Sequence, residues 1–125
     1  MTETTQAVLV VEDDDDTRYM LAHVLRESGR KVIEAVDGVD ALEQMKLHEL
    51  SIVLTDLRMP RMNGIELARK LKKSASYKNI PIVLISATPP SPGQRIPEFA
   101  AVLVKPFAIA GLLRCVDELL TPLNG

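Results

Sequence analysis

The sequence predicts an α/β fold, a doubly wound five-stranded parallel sheet with helices on both faces, and three observations carry that expectation. Five short runs of apolar, β-branched residues recur along the 125 residues. Helix-period patterns separate most of them. Three of the five are nearly continuous apolar runs, as strands covered on both faces require.

The elements follow in order. The run Ala7–Val11 precedes a helical spacing of Met20, Leu21, Val24 and Leu25, which Gly29 stops. Lys31–Ala35 is the second strand, and Val39, Leu42 and Met45 mark the helix behind it. Ser51–Thr55 is the third strand. After Asn63-Gly64 comes a helix with Ile65, Ala68 and Leu71, lined by Arg69, Lys70, Lys72 and Lys73. Pro81–Ser86 and Ala101–Val104 supply the last two strands. The closing helix is the clearest, with Ile109, Leu112, Leu113, Val116, Leu119 and Leu120 in one stripe.

One connection breaks the alternation. SATPPSPGQRIPEFAA, between the last two strands, holds Pro89, Pro90, Pro92 and Pro97, four of the chain's eight prolines. Proline removes a backbone donor and clashes with the preceding turn. A fourth helix is therefore expected to be short or irregular, a turn or two around Arg95 to Ala100 with Pro97 in its first turn.

Composition bounds the rest. Hydrophobic residues make up 46% and charged residues 26%, the balance of an ordinary globular domain. One domain over 1–125, with its core at about 7–120, is expected. A net charge of −2 offers no basic field for direct nucleic-acid or membrane binding. The opening MTETTQ lacks the pattern of a secretory signal. A single cysteine, Cys115, allows no intrachain disulfide and fits a reducing cytoplasm; a half-buried packing role is expected for it. With two histidines beside it, a zinc site is not expected.

In an open α/β sheet, ligands bind beyond the carboxyl ends of the strands. Glu12 and Asp13 follow the first strand, with Asp14, Asp15 and Asp16 behind them. Asp56 follows the third, Ser86 ends the fourth, and Lys105-Pro106 follows the fifth. Each has an ordinary reading. Asp14 to Asp16 suit the N-terminus of a helix, and Asp56 suits a turn. Ser86 suits a backbone-bonded hydroxyl, and Lys105 a solvated charge. Tyr19 and Tyr77 read as amphipathic surface groups, and His23 and His48 as helix-surface residues. Convergence at four strand ends outweighs the single readings. Clustered carboxylates raise one another's pKa unless a cation neutralises them. Mg²⁺ suits such a set, because it takes one or two carboxylates and completes its shell with water and phosphate oxygens. An aspartate can accept a phosphoryl group as an acyl phosphate. A lysine and a serine hydroxyl can then hold phosphoryl oxygens. The constellation reads as a Mg²⁺-dependent aspartyl phosphorylation site.

The motifs VLVVEDDDDTR, EAVDGVDAL, LTDLRMPRMNGIEL, VLISA and VKPF resemble, in order, those of the receiver domain of bacterial two-component response regulators. The resemblance implies a flavodoxin-like strand order 2-1-3-4-5 and Asp56 as phosphoacceptor. It implies Asp13 as a direct Mg²⁺ ligand and Glu12 as one acting mainly through a coordinated water. The backbone carbonyl of Arg58 is a further implied ligand, and Asp56 completes the set. Ser86 is the implied switch hydroxyl, and Lys105 the implied partner of the phosphoryl group. Leu57 and Ala87 are implied to donate their N–H groups, and a cis bond is implied before Pro106. The implied donor is a phosphohistidine of a sensor histidine kinase or histidine phosphotransfer protein, docking on the segment from Thr17 to Ser28 with Tyr19 and His23. The output is an unidentified downstream protein target. No enzymatic turnover is implied beyond self-phosphorylation and autodephosphorylation, and no output domain is expected after the last helix.

Two departures accompany the match. Many family members carry a switch aromatic three residues before the lysine, where this chain has Val102. The irregular fourth connection also alters the surface that commonly forms the homodimer and output face, leaving the oligomeric state open. Arg58 and Thr88 occupy positions where the family tunes dephosphorylation, and Arg58 is expected to shield the phosphoryl group. Two other classes are weighed against this one. A Mg²⁺-dependent phosphatase with an aspartyl nucleophile usually needs an acid where this chain has Arg58. A phosphorylation-independent interaction domain would not need the complete acidic set, Ser86 and Lys105.

Overall fold

The structure is a computed structural model that describes residues 6–88 and 96–121. Five strands, β1 (Ala7–Val11), β2 (Val32–Ala35), β3 (Leu50–Asp56), β4 (Ile82–Ser86) and β5 (Ala101–Val104), form one sheet in the order β2-β1-β3-β4-β5. All four pairings are parallel. The helices are α1 (Asp15–Glu27), α2 (Gly38–Leu47), α3 (Gly64–Lys72) and α4 (Ile109–Leu120).

Side chains alternate across a strand, so each apolar strand divides its residues between two cores. Ala7, Leu9 and Val11 of β1 face one way and join Ala41 and Met45 of α2 and Leu67, Ala68 and Leu71 of α3. Val8 and Val10 face the other way and join Leu21, Ala22 and Leu25 of α1 and Leu112 and Val116 of α4. This is why the central strands read as unbroken apolar runs: β1 and β4 are buried at every position.

Local chemistry sets the helix ends. Asp14 caps α1 by accepting the Thr17 N–H at 2.8 Å. Beyond its C-terminus, Gly29 at φ 94 directs its own N–H to the Arg26 carbonyl and that of Arg30 to the Leu25 carbonyl. Asn63 and Glu66 form a reciprocal capping box on α3.

The described residues between β4 and β5 contain no helix. A single turn at Pro97 and Glu98 is closed by the Phe99 N–H on the Ile96 carbonyl at 3.1 Å. Among the described residues the expected element comes down to one turn, while Pro89, Pro90, Pro92 and Arg95 lie outside them. Ala101 and Leu103 still pack on the α1–α4 core. Val102 and Val104 alternate to the opposite face, and Val104 is 40% exposed. Tyr77 is half-buried, as an amphipathic group at the surface is expected to be. It packs against the α2–α3 core, and its hydroxyl donates to the Met45 carbonyl at 3.3 Å. Cys115 is half-buried against the other core, as expected.

Candidate functional site

The parallel registers bring the ends of β1, β3 and β4 to one level, with Val11 beside Thr55 and Asp56 beside Ile85. The next residues of each strand therefore meet at the same edge. Glu12, Asp13 and Asp56 each offer a carboxylate oxygen within 4.8 Å of the others, a spacing at which one metal ion can touch all three. Glu12 is buried, Asp56 half-buried and Asp13 exposed, so the cluster opens to solvent on the Asp13 side.

Lys105 reaches this cluster from the loop after β5. Its Nζ lies 3.1 Å from Glu12 Oε1 and 3.4 Å from Asp56 Oδ1. The ordinary reading of a solvated lysine is thereby set aside. Burial opposes its charge, but the hydrogen bond and charge of Glu12, with Asp56 behind it, hold the ammonium above its usual pKa. Burial likewise pushes the Glu12 carboxyl up, with Asp56 adding to it, while the Asp14 N–H and Lys105 pull the other way. Three carboxylates and one ammonium leave a surplus of negative charge. A hard divalent cation fits that surplus and the all-oxygen donor set.

The acids after Asp13 keep their ordinary roles. Asp14 caps α1, and Asp15 pairs with Arg18 at 2.6 Å. Arg18 itself was not legible as a site residue. Its guanidinium is buried under the β1–α1 loop and donates to the Glu12 carbonyl at 2.9 Å. The Arg18 Nε also lies 3.3 Å from Glu34. No spacing rule distinguishes such a buried arginine from one on a helix surface.

Gly64 shows why the loop after β3 carries its glycine. A Cβ there would lie 2.3 Å from the Asp56 carbonyl oxygen, closer than any side chain allows. The Gly64 N–H instead donates to the Leu57 carbonyl at 2.9 Å, closing the loop from which the Arg58 carbonyl is expected to act. The Arg58 side chain is exposed.

Ser86 is buried at the end of β4, but its hydroxyl is not bonded to Asp56. It donates to the Thr88 carbonyl at 3.0 Å and accepts the Thr88 N–H at 3.1 Å. The structure thus brings Glu12, Asp13, Asp56 and Lys105 together and leaves the Ser86 hydroxyl engaged next door. The Lys105–Pro106 peptide bond is cis.

Comparison with known proteins agrees with this geometry. The family profile described as the response regulator receiver domain matches residues 8–117. The chain is similar to the response regulator receiver protein CpdR of Brucella abortus, 34% identical over 114 residues, covering 90% of this chain and 95% of that protein. Its fold is similar to the chemotaxis protein CheY4 of Vibrio cholerae, with TM-score 0.86 and 28% identity over 94% of this chain and 100% of that one. It is also similar to the response regulator TrrA of Thermotoga maritima, solved in complex with Mg²⁺-BeF, with TM-score 0.83 and 28% identity over 92% and 99% of the two chains. The chain belongs to the response regulator receiver domain family.

Proposed function

We propose that this receiver accepts a phosphoryl group on Asp56 from a phosphohistidine of a sensor histidine kinase or histidine phosphotransfer protein, in a Mg²⁺-dependent reaction that switches a protein-interaction surface. The observation that carries this reading is Lys105 Nζ, 3.4 Å from Asp56 Oδ1, in a site that also holds Glu12 and Asp13. A carboxylate oxygen of Asp56 attacks phosphorus and the P–N bond to the donor imidazole breaks. An acyl phosphate forms, and the released nitrogen keeps the electron pair and takes up a proton. Little covalent chemistry is asked of the protein beyond orientation and charge neutralisation.

Lys105 is placed to follow the charge from Asp56 to a phosphoryl oxygen. Ser86 would leave its two bonds to Thr88 and donate to a second oxygen. Asp13, Glu12, Asp56 and the Arg58 carbonyl are the groups that would hold Mg²⁺. When bound, the ion supplies positive charge to three carboxylates and an incoming phosphoryl group. The domain acts as phosphoacceptor, with self-phosphorylation and autodephosphorylation as its only reactions.

The α1 face supports docking of the donor. Tyr19 and Met20 are exposed, and a groove of about 280 Å³ runs between α1 and α4, lined by His23, Val24, Glu27, Ser28, Ile109 and Leu113. The proposed setting is cytoplasmic, in line with the single cysteine; among the described residues, no helix is long and apolar enough to cross a membrane.

Incubation with Mg²⁺ and acetyl phosphate, read by intact mass, tests the reading. The wild-type chain is expected to gain one labile phosphoryl group that Asp56→Asn does not gain. No gain, or a gain that survives the substitution, would overturn it.

A further inference from the structure

We propose that Arg61 and Asp37 form a clamp that holds the loop between β3 and α3 in its metal-binding geometry, an inference that rests on the Mg²⁺-dependent reading above. Arg61 binds Asp37 through two parallel hydrogen bonds, Nε to Oδ2 at 2.7 Å and an amino nitrogen to Oδ1 at 3.0 Å. The two groups belong to different units. Arg61 lies in the loop, and Asp37 is the N-cap of α2.

Asp37 is an anchor with little freedom. It is 3% exposed, and its Oδ1 also accepts the Asp40 N–H at 2.8 Å. The carboxylate is therefore fixed to the helix and cannot follow a moving loop. Next to it, the Gly38 N–H donates to the Met62 carbonyl at 3.3 Å. The two ends of the loop are joined to each other by the Gly64 N–H on the Leu57 carbonyl at 2.9 Å. Arg58 lies between Leu57, where the ends join, and Arg61, where the loop meets α2.

Arg61 is also the only non-glycine residue with positive φ among the described residues, at 66°. That conformation is uncommon for a side chain of this size, so the surroundings must hold it. Surface ion pairs in general contribute little. This one has a buried carboxylate and a two-bond geometry, which makes release of the arginine costly for the group left behind. Residues that orient a ligand from one step away are known to govern metal affinity. A loop free to move would present the Arg58 carbonyl in many positions and bind Mg²⁺ less well.

The test is a Mg²⁺ titration by calorimetry, together with amide hydrogen exchange of the metal-free loop, on four chains: wild type, Arg61→Gly, Asp37→Asn and the double variant. Glycine suits the positive φ, and asparagine remains a good N-cap, so both changes spare the fold. Each single variant is expected to weaken Mg²⁺ binding about 3- to 10-fold, somewhat below the effect of removing a direct ligand-orienting group. Loop amides should exchange faster, and the double variant should be no worse than the weaker-binding single one. Phosphorylation at saturating Mg²⁺ should reach the wild-type level. Arg61→Lys, which keeps the charge but not the fork, should fall between. Wild-type affinity in both single variants, or fully additive losses, would overturn the clamp. A wild-type chain that binds no Mg²⁺ would overturn the functional reading along with it.

Discussion

Where β1 and β3 end, side chains reach across from other elements to hold the loops, whereas the Ser86 hydroxyl at the end of β4 is held within its own loop. At the first pair, Arg18 holds the Glu12 carbonyl, Gly64 closes the loop behind Asp56, and Arg61 fastens that loop to α2. At the end of β4, Ser86 bonds to Thr88 rather than to Asp56, and beside it on β5 Val104 is exposed. The acidic centre is thus held by ties from α1, α2 and the start of α3, while the Ser86 hydroxyl is held only by its near neighbour Thr88. Electrostatics explains the division. Carboxylates kept close together repel one another and need fixed scaffolding, while a switch needs an element whose two arrangements differ little in free energy.

The contrast can be broken first by stability. Leu54 is buried on β3 between Val10 and Val83, so Leu54→Ala is expected to cost about 2–5 kcal/mol in urea unfolding. Val104→Ala, on the exposed face of β5, should cost below about 1 kcal/mol. Equal losses would show that the edge is as well packed as the centre. Next in size, Lys105→Met should slow phosphorylation by acetyl phosphate on the order of 100-fold, as removal of a preorganised charge partner does. An unchanged rate would remove Lys105 from the site.

These effects fall on residues of unequal legibility in the sequence. Strands buried on both faces declare themselves, because an unbroken apolar run such as AVLVV is stable only where both of its faces are covered. Glu12, Asp13, Asp56 and Lys105 were legible because parallel strands deliver whatever follows them to one edge. Arg18, Asp37 and Arg61 were not. Their roles depend on which distant backbone or carboxylate lies within reach, and periodicity carries no such information. Ser86 was legible in place but not in state, since only the folded chain shows that its hydroxyl is held by Thr88.

The smallest expected effect concerns pH. The Arg61 hydrogen bonds hold the Asp37 carboxyl below the usual carboxylate range, against the opposing effect of burial. A lowered pKa contributes stability that is present above the ordinary value, about 4, and is lost as pH falls through the folded-state value. Wild type should therefore melt slightly above Asp37→Asn at neutral pH, with the gap closing in acid. A gap that is constant with pH would mean that the pair is not acting through its charge.

The most direct test of aspartyl phosphorylation is to locate the phosphoryl group. After incubation with acetyl phosphate and Mg²⁺, borohydride reduction converts an aspartyl phosphate to homoserine, which peptide mass mapping can place. Homoserine is expected at residue 56 alone, and none when Mg²⁺ is removed by chelation. Homoserine at residue 13, or labelling that is unaffected by chelation, would contradict the Mg²⁺-dependent phosphorylation of Asp56.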